Sequence, residues 1–315
     1  MGLTIGVDVG GTKIAAGVVD ESGHLRAMSR RDTPHDDPAK TEDAIADAVR
    51  ELRAVHEVEA IGLGAAGFVD AERSTVLFAP NLAWRNEALR QAIEARLGLP
   101  AVVENDANAA SWAEVRFGAG RDESHVVVVT VGTGIGGGIV LGNRLLRGQF
   151  GIAAEIGHFT VVPDGRRCGC GNQGCWEQYA SGRTLVAEAR ELAKSSPAIA
   201  PKLLALADGR PNAINGQMVT AAARDGDEAA LESFRIVGTW LGRGMADLAA
   251  ILDPGVFIIA GGVSRAGDLI REPAWLAYLS RLTGRHHRPT ADLRIAQLGG
   301  DEAGVIGAAD LARHR

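Results

Sequence analysis

The chain has 315 residues, enough for two domains at ~150 residues each. Its net charge of −6 comes without a block of like charges, which excludes a basic nucleic-acid footprint. Glycine is abundant, 41 residues, and the three cysteines all fall between positions 168 and 175. That odd, tight group excludes a secreted disulfide framework and points to a reducing compartment with a local thiolate site. No run approaches the ~18 apolar residues of a membrane span. The opening MGLTIGVDVGG has no basic segment and carries Asp8 within its apolar stretch, which argues against a signal peptide. A cytoplasmic protein is expected.

In chain order, Leu3, Ile5, Val7 and Val9 alternate as a strand, GGTK turns, and Ile14 to Val19 is apolar again. The sequence predicts a helix opening at Thr41, with Ile45, Val49, Leu52 and Val55 on its apolar face. Val58 to Leu63 reads as a strand. Asn86 to Leu97 reads as a helix closed by Gly98. Val102–Val103 is a short strand running into ENDANAASWAEVRFG, a helix. VVVVTVGTGIGGGIVLG, from Val126, is a second strand–glycine turn–strand unit. Residues 144–180 are loop-rich, and 184–250 are mainly helical with a loop at Pro197–Pro211. Asp253-Pro254 ends that region, Val256 to Ala260 is a strand entering GGVS, and Asp301 to Arg313 is a terminal helix. Alternating strands and helices make the class α/β.

Three glycine clusters each follow an apolar strand. In Asp8-Val9-Gly10-Gly11-Thr12-Lys13, a Gly-Gly turn lets amides approach an anion, while Thr12 and Lys13 add a hydroxyl and a cation. Asp8 is placed to hold Mg²⁺ through water. This is neither a P-loop nor G-x-G-x-x-G, and an ordinary hairpin turn would use the same residues. Gly132-Thr133-Gly134 opens a second such turn, where a glycine kink is the plain alternative. Gly261-Gly262 opens a third, suited to a nucleotide.

Cys168, Cys170 and Cys175 follow C-x-C-x4-C, and three thiolates need a fourth ligand for tetrahedral zinc. His158 lies ten residues before Cys168 and is the candidate. Free buried thiols are the alternative; a C-x-x-C redox pair is absent. Glu155 and Glu177 flank the cluster, so a structural zinc there shapes a polar pocket with no open coordination position. Asn105 and Asp106 sit at a strand end before a helix, where Asp106 suits proton acceptance from a hydroxyl. Helix capping uses the same residue types.

DVGGTK at 8–13, ENDANAA at 104–110, GTGIGGG at 132–138, EIGH at 155–158, CGCGNQGCWE at 168–177 and AGGVS at 260–264 occur in that order. Together they resemble the ROK family of sugar kinases and sugar-responsive repressors, and within it the bacterial ATP-dependent glucokinases. The resemblance implies an actin/hexokinase-like, ribonuclease H-like fold of two α/β domains around an active-site cleft. The expected division is 1–108 plus 299–315 as a small domain and 109–298 as a large domain carrying the zinc loop. It implies transfer of phosphate from ATP-Mg to the 6-hydroxyl of glucose, with Asp106 as catalytic base. Asn105, Asp106, Glu155, His158 and Glu177 would bind sugar. His158, Cys168, Cys170 and Cys175 would bind zinc. Gly10, Gly11, Thr12, Lys13, Thr133, Gly134, Gly261 and Gly262 would surround ATP. A homodimer or homotetramer is expected on the same ground.

The rival readings are a kinase for N-acetylglucosamine, N-acetylmannosamine, mannose or fructose, a sugar-sensing repressor, and a non-catalytic sugar-binding protein. The turn at Asp8 leaves no room before it for a helix-turn-helix, and the intact DVGGTK and Asp106 favour catalysis. Polyphosphate stays open as an alternative donor to ATP, although no strong basic track for a polyanion is present.

Overall fold

The computed structural model describes residues 2–314; Met1 and Arg315, the outer ends of the expected small domain, lie outside the described residues. Strands β1 (Leu3–Val9), β2 (Lys13–Val19) and β3 (Leu25–Asp32) lead to helix α1 (Pro38–Arg53). Then come β4 (Val58–Ala65), β5 (Phe68–Val69), β6 (Val76–Phe78), β7 (Arg85–Glu87), α2 (Leu89–Leu97), β8 (Ala101–Asn105) and α3 (Asp106–Phe117). Strands β9 (His125–Val131), β10 (Ile135–Leu141) and β11 (Arg144–Leu145) follow. Helices α4 (Glu177–Ala180), α5 (Gly182–Ser195), α6 (Pro201–Leu206), α7 (Gly216–Arg224) and α8 (Glu228–Leu252) come next. The chain ends with β12 (Val256–Ala260), α9 (Asp268–Arg281), β13 (Asp292–Ile295) and α10 (Gly300–Arg313). The α/β class is as the alternating pattern predicts. Among the described residues, no helix is long and apolar enough to cross a membrane.

Three local expectations are corrected. Helix α1 starts at Pro38, ahead of Thr41, because the Asp37 side chain accepts the Lys40 amide at 3.2 Å and proline suits the first turn. Thr41 instead donates its hydroxyl back to the Pro34 and Asp37 carbonyls. The helix expected from Asn86 begins only at Leu89, since Asn86 has φ of +52° and its neighbours form β7. The expected loop at Pro197–Pro211 contains α6, with Pro201 in its first turn.

The chain forms two compact units. The first comprises residues 1–128, 137–154 and 297–315; the second comprises 129–136 and 155–296. The boundary expected after residue 108 therefore lies elsewhere. Helix α3 stays with the first unit because Trp112 and Arg116 reach the buried Asp310 of α10, at 2.8 and 3.1 Å. The chain passes from one unit to the other within β9 and again within β10.

In the first unit the sheet order is β3-β2-β1-β4-β8. Strand β1 runs antiparallel to β2 and parallel to β4, which runs parallel to β8. Ile5, Val7 and Val9 join Ile45, Val49 and Ile93 in one core cluster. The opposite face of the sheet packs on α10, whose Val305, Ile306 and Ala309 cluster with Ala15 and Val19. Gly6 and Gly62 are register partners on that second face. A Cβ on either would run into the α10 backbone, at Val305 and Ala308 respectively. Strand alternation puts Asp8 on this face too.

The second sheet has the order β11-β10-β9-β12-β13, with β12 parallel to β13. Within the second unit, α8 packs along α9, and its Gly242 faces the backbone of Ala274.

Candidate active site

In the first unit, the Gly10 amide closes the β1–β2 turn by donating to the Lys13 carbonyl at 3.0 Å. Thr33 secures it, donating its hydroxyl to the Gly10 carbonyl at 2.8 Å and its amide to Thr12. Gly11 and Thr12 border a cavity of about 870 Å³, together with Thr33, His35 and Asn81. His35 and Asn81 were not marked by any sequence pattern; the one available signal is the Pro80-Asn81 pair, a turn former that reads only as loop. Lys13 extends its ammonium to Asp301, in the first turn of α10, at 2.7 Å.

Asp8 ends on the α10 face, where Gly304 leaves space for its carboxyl. Its pKa is pushed up to about 7 by desolvation, then by the Asp106 and Asp301 carboxylates, with Lys13 opposing. Gly64 is the register partner of Asp8, and a Cβ there would meet the Asp106 Cα at 3.7 Å.

Asn105 and Asp106 form the β8–α3 corner. Asn105 is the helix cap, accepting the Asn108 amide at 3.0 Å, so the capping alternative is correct for this residue. Its Nδ2 donates to the Gly67 carbonyl and to Asp106 Oδ1, both at 3.1 Å. Asp106 Oδ1 also accepts the Ala107 amide at 2.9 Å. Asp106 keeps part of its surface open. Desolvation nevertheless pushes its pKa up to about 6, against the lowering pull of those hydrogen bonds.

In the second unit, His158, Cys168, Cys170 and Cys175 present donor atoms all within 4.8 Å of one another. Cys168 Sγ lies 3.6 Å from His158 Nδ1, and Cys170 Sγ lies 3.6 Å from Cys175 Sγ. Tetrahedral Zn–S bonds of ~2.3 Å separate sulfur atoms by about 3.8 Å, so the donor set fits zinc in both chemistry and span. The loop curls because Gly171 and Gly174 adopt φ of +97° and +77°. Cys168 donates its amide to the Asn172 carbonyl, and Gly174 donates to Arg166. Burial, then the Cys170 and Cys168 sulfurs, push the Cys175 thiol up to about 12; a divalent cation has to displace that proton.

Glu177 opens α4 directly after the cysteine loop. Its Oε1 accepts the Cys168 thiol and Gln178 Nε2, each at 3.1 Å, and its Oε2 faces the Ile135 amide at 3.4 Å. Glu177 thus joins the cysteine loop to the Gly132–Gly134 turn, where its carboxylate lies against Gly134. Glu155 precedes the 3₁₀ turn Ile156–His158, and its carbonyl accepts the His158 amide at 3.0 Å. Three residues per turn bring Glu155 and His158 to one side.

The two glycine turns of this unit also meet. Gly261 lies against the Val131 backbone, and Gly182 donates to the Gly132 carbonyl at 2.8 Å. Thr133, Gly261 and Gly262 are exposed there. The residues singled out in the sequence therefore form two groups. Asp8, Gly10 to Lys13, Asn105 and Asp106 lie in the first unit. Thr133, Gly134, Glu155, His158, the cysteines, Glu177, Gly261 and Gly262 lie in the second.

The ROK family pattern matches residues 4–315. A glucokinase from Streptomyces coelicolor is 55% identical over 313 residues, covering 99% of this chain and 98% of the relative. The solved structure of a ROK family glucokinase from Streptomyces griseus, in complex with glucose and AMPPNP, superposes with a TM-score of 0.89. It is 54% identical and covers 100% of both chains. A ROK hexokinase from Thermus thermophilus gives a TM-score of 0.82 at 36% identity, covering 99% of this chain and 98% of that one. The fold is accordingly actin/hexokinase-like.

Proposed function

The chain belongs to the ROK family, and from that premise we propose that it transfers the γ-phosphoryl group of ATP to the 6-hydroxyl of D-glucose, with Asp106 as general base. The chain is an ATP-dependent hexose kinase. The reading of glucose is carried by one observation: 55% identity to a glucokinase along essentially the whole chain.

Asp106 accepts the 6-hydroxyl proton as that oxygen attacks. Its Oδ1 is held by Ala107 and Asn105, so Oδ2 is the oxygen that takes the proton. A pKa of about 6 leaves the carboxylate ionised near pH 7.5 while raising its basicity over an ordinary aspartate. Asn105, tied to Gly67 and to Asp106, fixes the angle at which Asp106 meets the hydroxyl.

Glu155, His158 and Glu177 are the proposed partners of the remaining hydroxyls. His158, Cys168, Cys170 and Cys175 would hold a zinc ion, which would give rigidity to a loop with little core of its own. With Nδ1 turned toward the sulfurs, His158 offers Nε2 as a donor. Catalysis of such loose transfers is mostly positioning and charge stabilisation. Lys13 and the Gly10–Thr12 turn stabilise phosphate charge, and Asp8 is placed to hold the Mg²⁺ that accompanies ATP. Thr133, Gly134, Gly261 and Gly262 provide the side-chain-poor surface for the rest of the nucleotide.

The test is a phosphorylation panel with ATP. Glucose is expected to give the highest kcat/KM beside mannose, fructose and the N-acetylhexosamines. A higher value for any of the others would overturn the sugar assignment.

A further inference from the structure

The corner that bears Asn105 and Asp106 is anchored from inside by Glu104. That side chain is 1% exposed. Its Oε1 accepts the Asn105 amide at 2.9 Å and Asn108 Nδ2 at 3.1 Å. Its Oε2 faces Arg147 Nε at 2.9 Å and Arg73 Nε at 3.2 Å. Arg147 comes from the segment just after β11, far from Glu104 in sequence but within the same unit. Its two terminal nitrogens donate to the Ala71 and Asp70 carbonyls at 2.8 and 2.7 Å. The Asp70 carboxylate in turn accepts the Ser74 and Thr75 amides.

Two features mark this cluster as more than packing. One buried carboxylate faces two guanidiniums, an arrangement whose desolvation cost apolar side chains of similar volume would avoid. Glu104 Oε2 and Arg147 Nε also lack an aligned hydrogen bond, so they are held by charge. The cluster is placed directly behind the proposed base. Glu104 is bonded to the residue before Asp106 and to the residue two after it. Asn105 extends the same corner to the Gly67 carbonyl.

We propose that Glu104 and Arg147 are positioning residues for phosphoryl transfer, forming a clamp that fixes the Asn105–Asp106 corner and ties to it the chain at Asp70–Ala71. The proposal rests on the reading of Asp106 as base. Neither residue touches sugar or nucleotide in this scheme. Their effect is on the placement of Asp106, where an error of ~1 Å costs ~10²-fold in rate.

The experiment is steady-state kinetics of Glu104→Gln, Arg147→Met and Arg147→Lys, with Asp106→Asn alongside. Glu104→Gln keeps the shape and an oxygen for Asn105 and Asn108 but removes the charge. It and Arg147→Met are expected to lower kcat about tenfold or more while KM for ATP stays within about twofold. Arg147→Lys keeps the charge without the fork and recovers part of kcat. The double variant Glu104→Gln/Arg147→Met falls little further than either single one, because both remove the same contact. A lower Tm with wild-type kcat in the folded protein would overturn the clamp. Should Glu104→Gln fail to fold, the two Arg147 variants decide by the same criterion. Loss of activity in Asp106→Asn with wild-type kcat in the clamp variants overturns the clamp alone. Near-normal kcat in Asp106→Asn overturns the base reading on which the clamp depends.

Discussion

Asp8 is expected to weaken the fold at neutral and alkaline pH, so Asp8→Asn should stabilise the protein there. The Asp8 carboxyl rises from 3.8 to about 7, through desolvation first and then repulsion from Asp106 and Asp301. The folded chain therefore keeps a proton that the unfolded chain has already released. Between those two values the native state binds more protons, and stability falls as pH rises. A shift of roughly three units at 1.36 kcal/mol each amounts to about 4 kcal/mol, fully expressed above about pH 8. Asparagine has nearly the same shape and no charge to desolvate. Urea unfolding without sugar or nucleotide should show Asp8→Asn gaining little near pH 4 and up to about 4 kcal/mol near pH 8. Because part of the cost is repulsion from Asp106, the gain should shrink in an Asp106→Asn background. A gain independent of pH, or a loss that deepens as pH rises, would show that a buried, repelled Asp8 carboxylate does not cost stability. The carboxylate is then a stability cost kept for function, and the variant should bind ATP-Mg less well.

Cys170→Ser should bring zinc well below one equivalent per chain by elemental analysis and raise KM for glucose far more than KM for ATP. Full zinc in that variant, or none in fully active wild type, would contradict the four-ligand site. Gly62→Ala should cost about 1–3 kcal/mol, read as a lower thermal midpoint, because its methyl group meets the Ala308 carbonyl of α10. An unchanged midpoint would show that α10 gives way freely.

The parts of the site that the sequence displays are those set by near neighbours. Cys168, Cys170, Cys175 and His158 lie within eighteen consecutive positions, and glycines let that short loop bring them together. The strands flanking Gly10–Gly11 read clearly because Ile5, Val7 and Val9 alternate against one core. Boundaries were less legible where a cap competes with periodicity: Asp37-Pro38 starts α1 ahead of Thr41, and Asn86 in the left-handed region delays α2 to Leu89. Contacts between distant segments left no local trace. The glycine excess is a case in point. Its densest clusters do sit at turns and in the cysteine loop, yet Gly6 and Gly62 serve the approach of α10, some 250–300 residues further along. The Glu104–Arg147 pair and the attachment of α3 to α10 through Asp310 are equally non-local. The latter places α3 in the first unit, so a boundary drawn at its start from sequence misses its packing.

The proposed phosphoryl transfer depends above all on Asp106 taking the proton of the attacking hydroxyl. The most direct measurement is kcat of Asp106→Asn for glucose phosphorylation with ATP, beside glucose binding by the same variant. In this variant kcat is expected to fall by ~10²-fold or more while glucose still binds. A kcat near the wild-type value would contradict it.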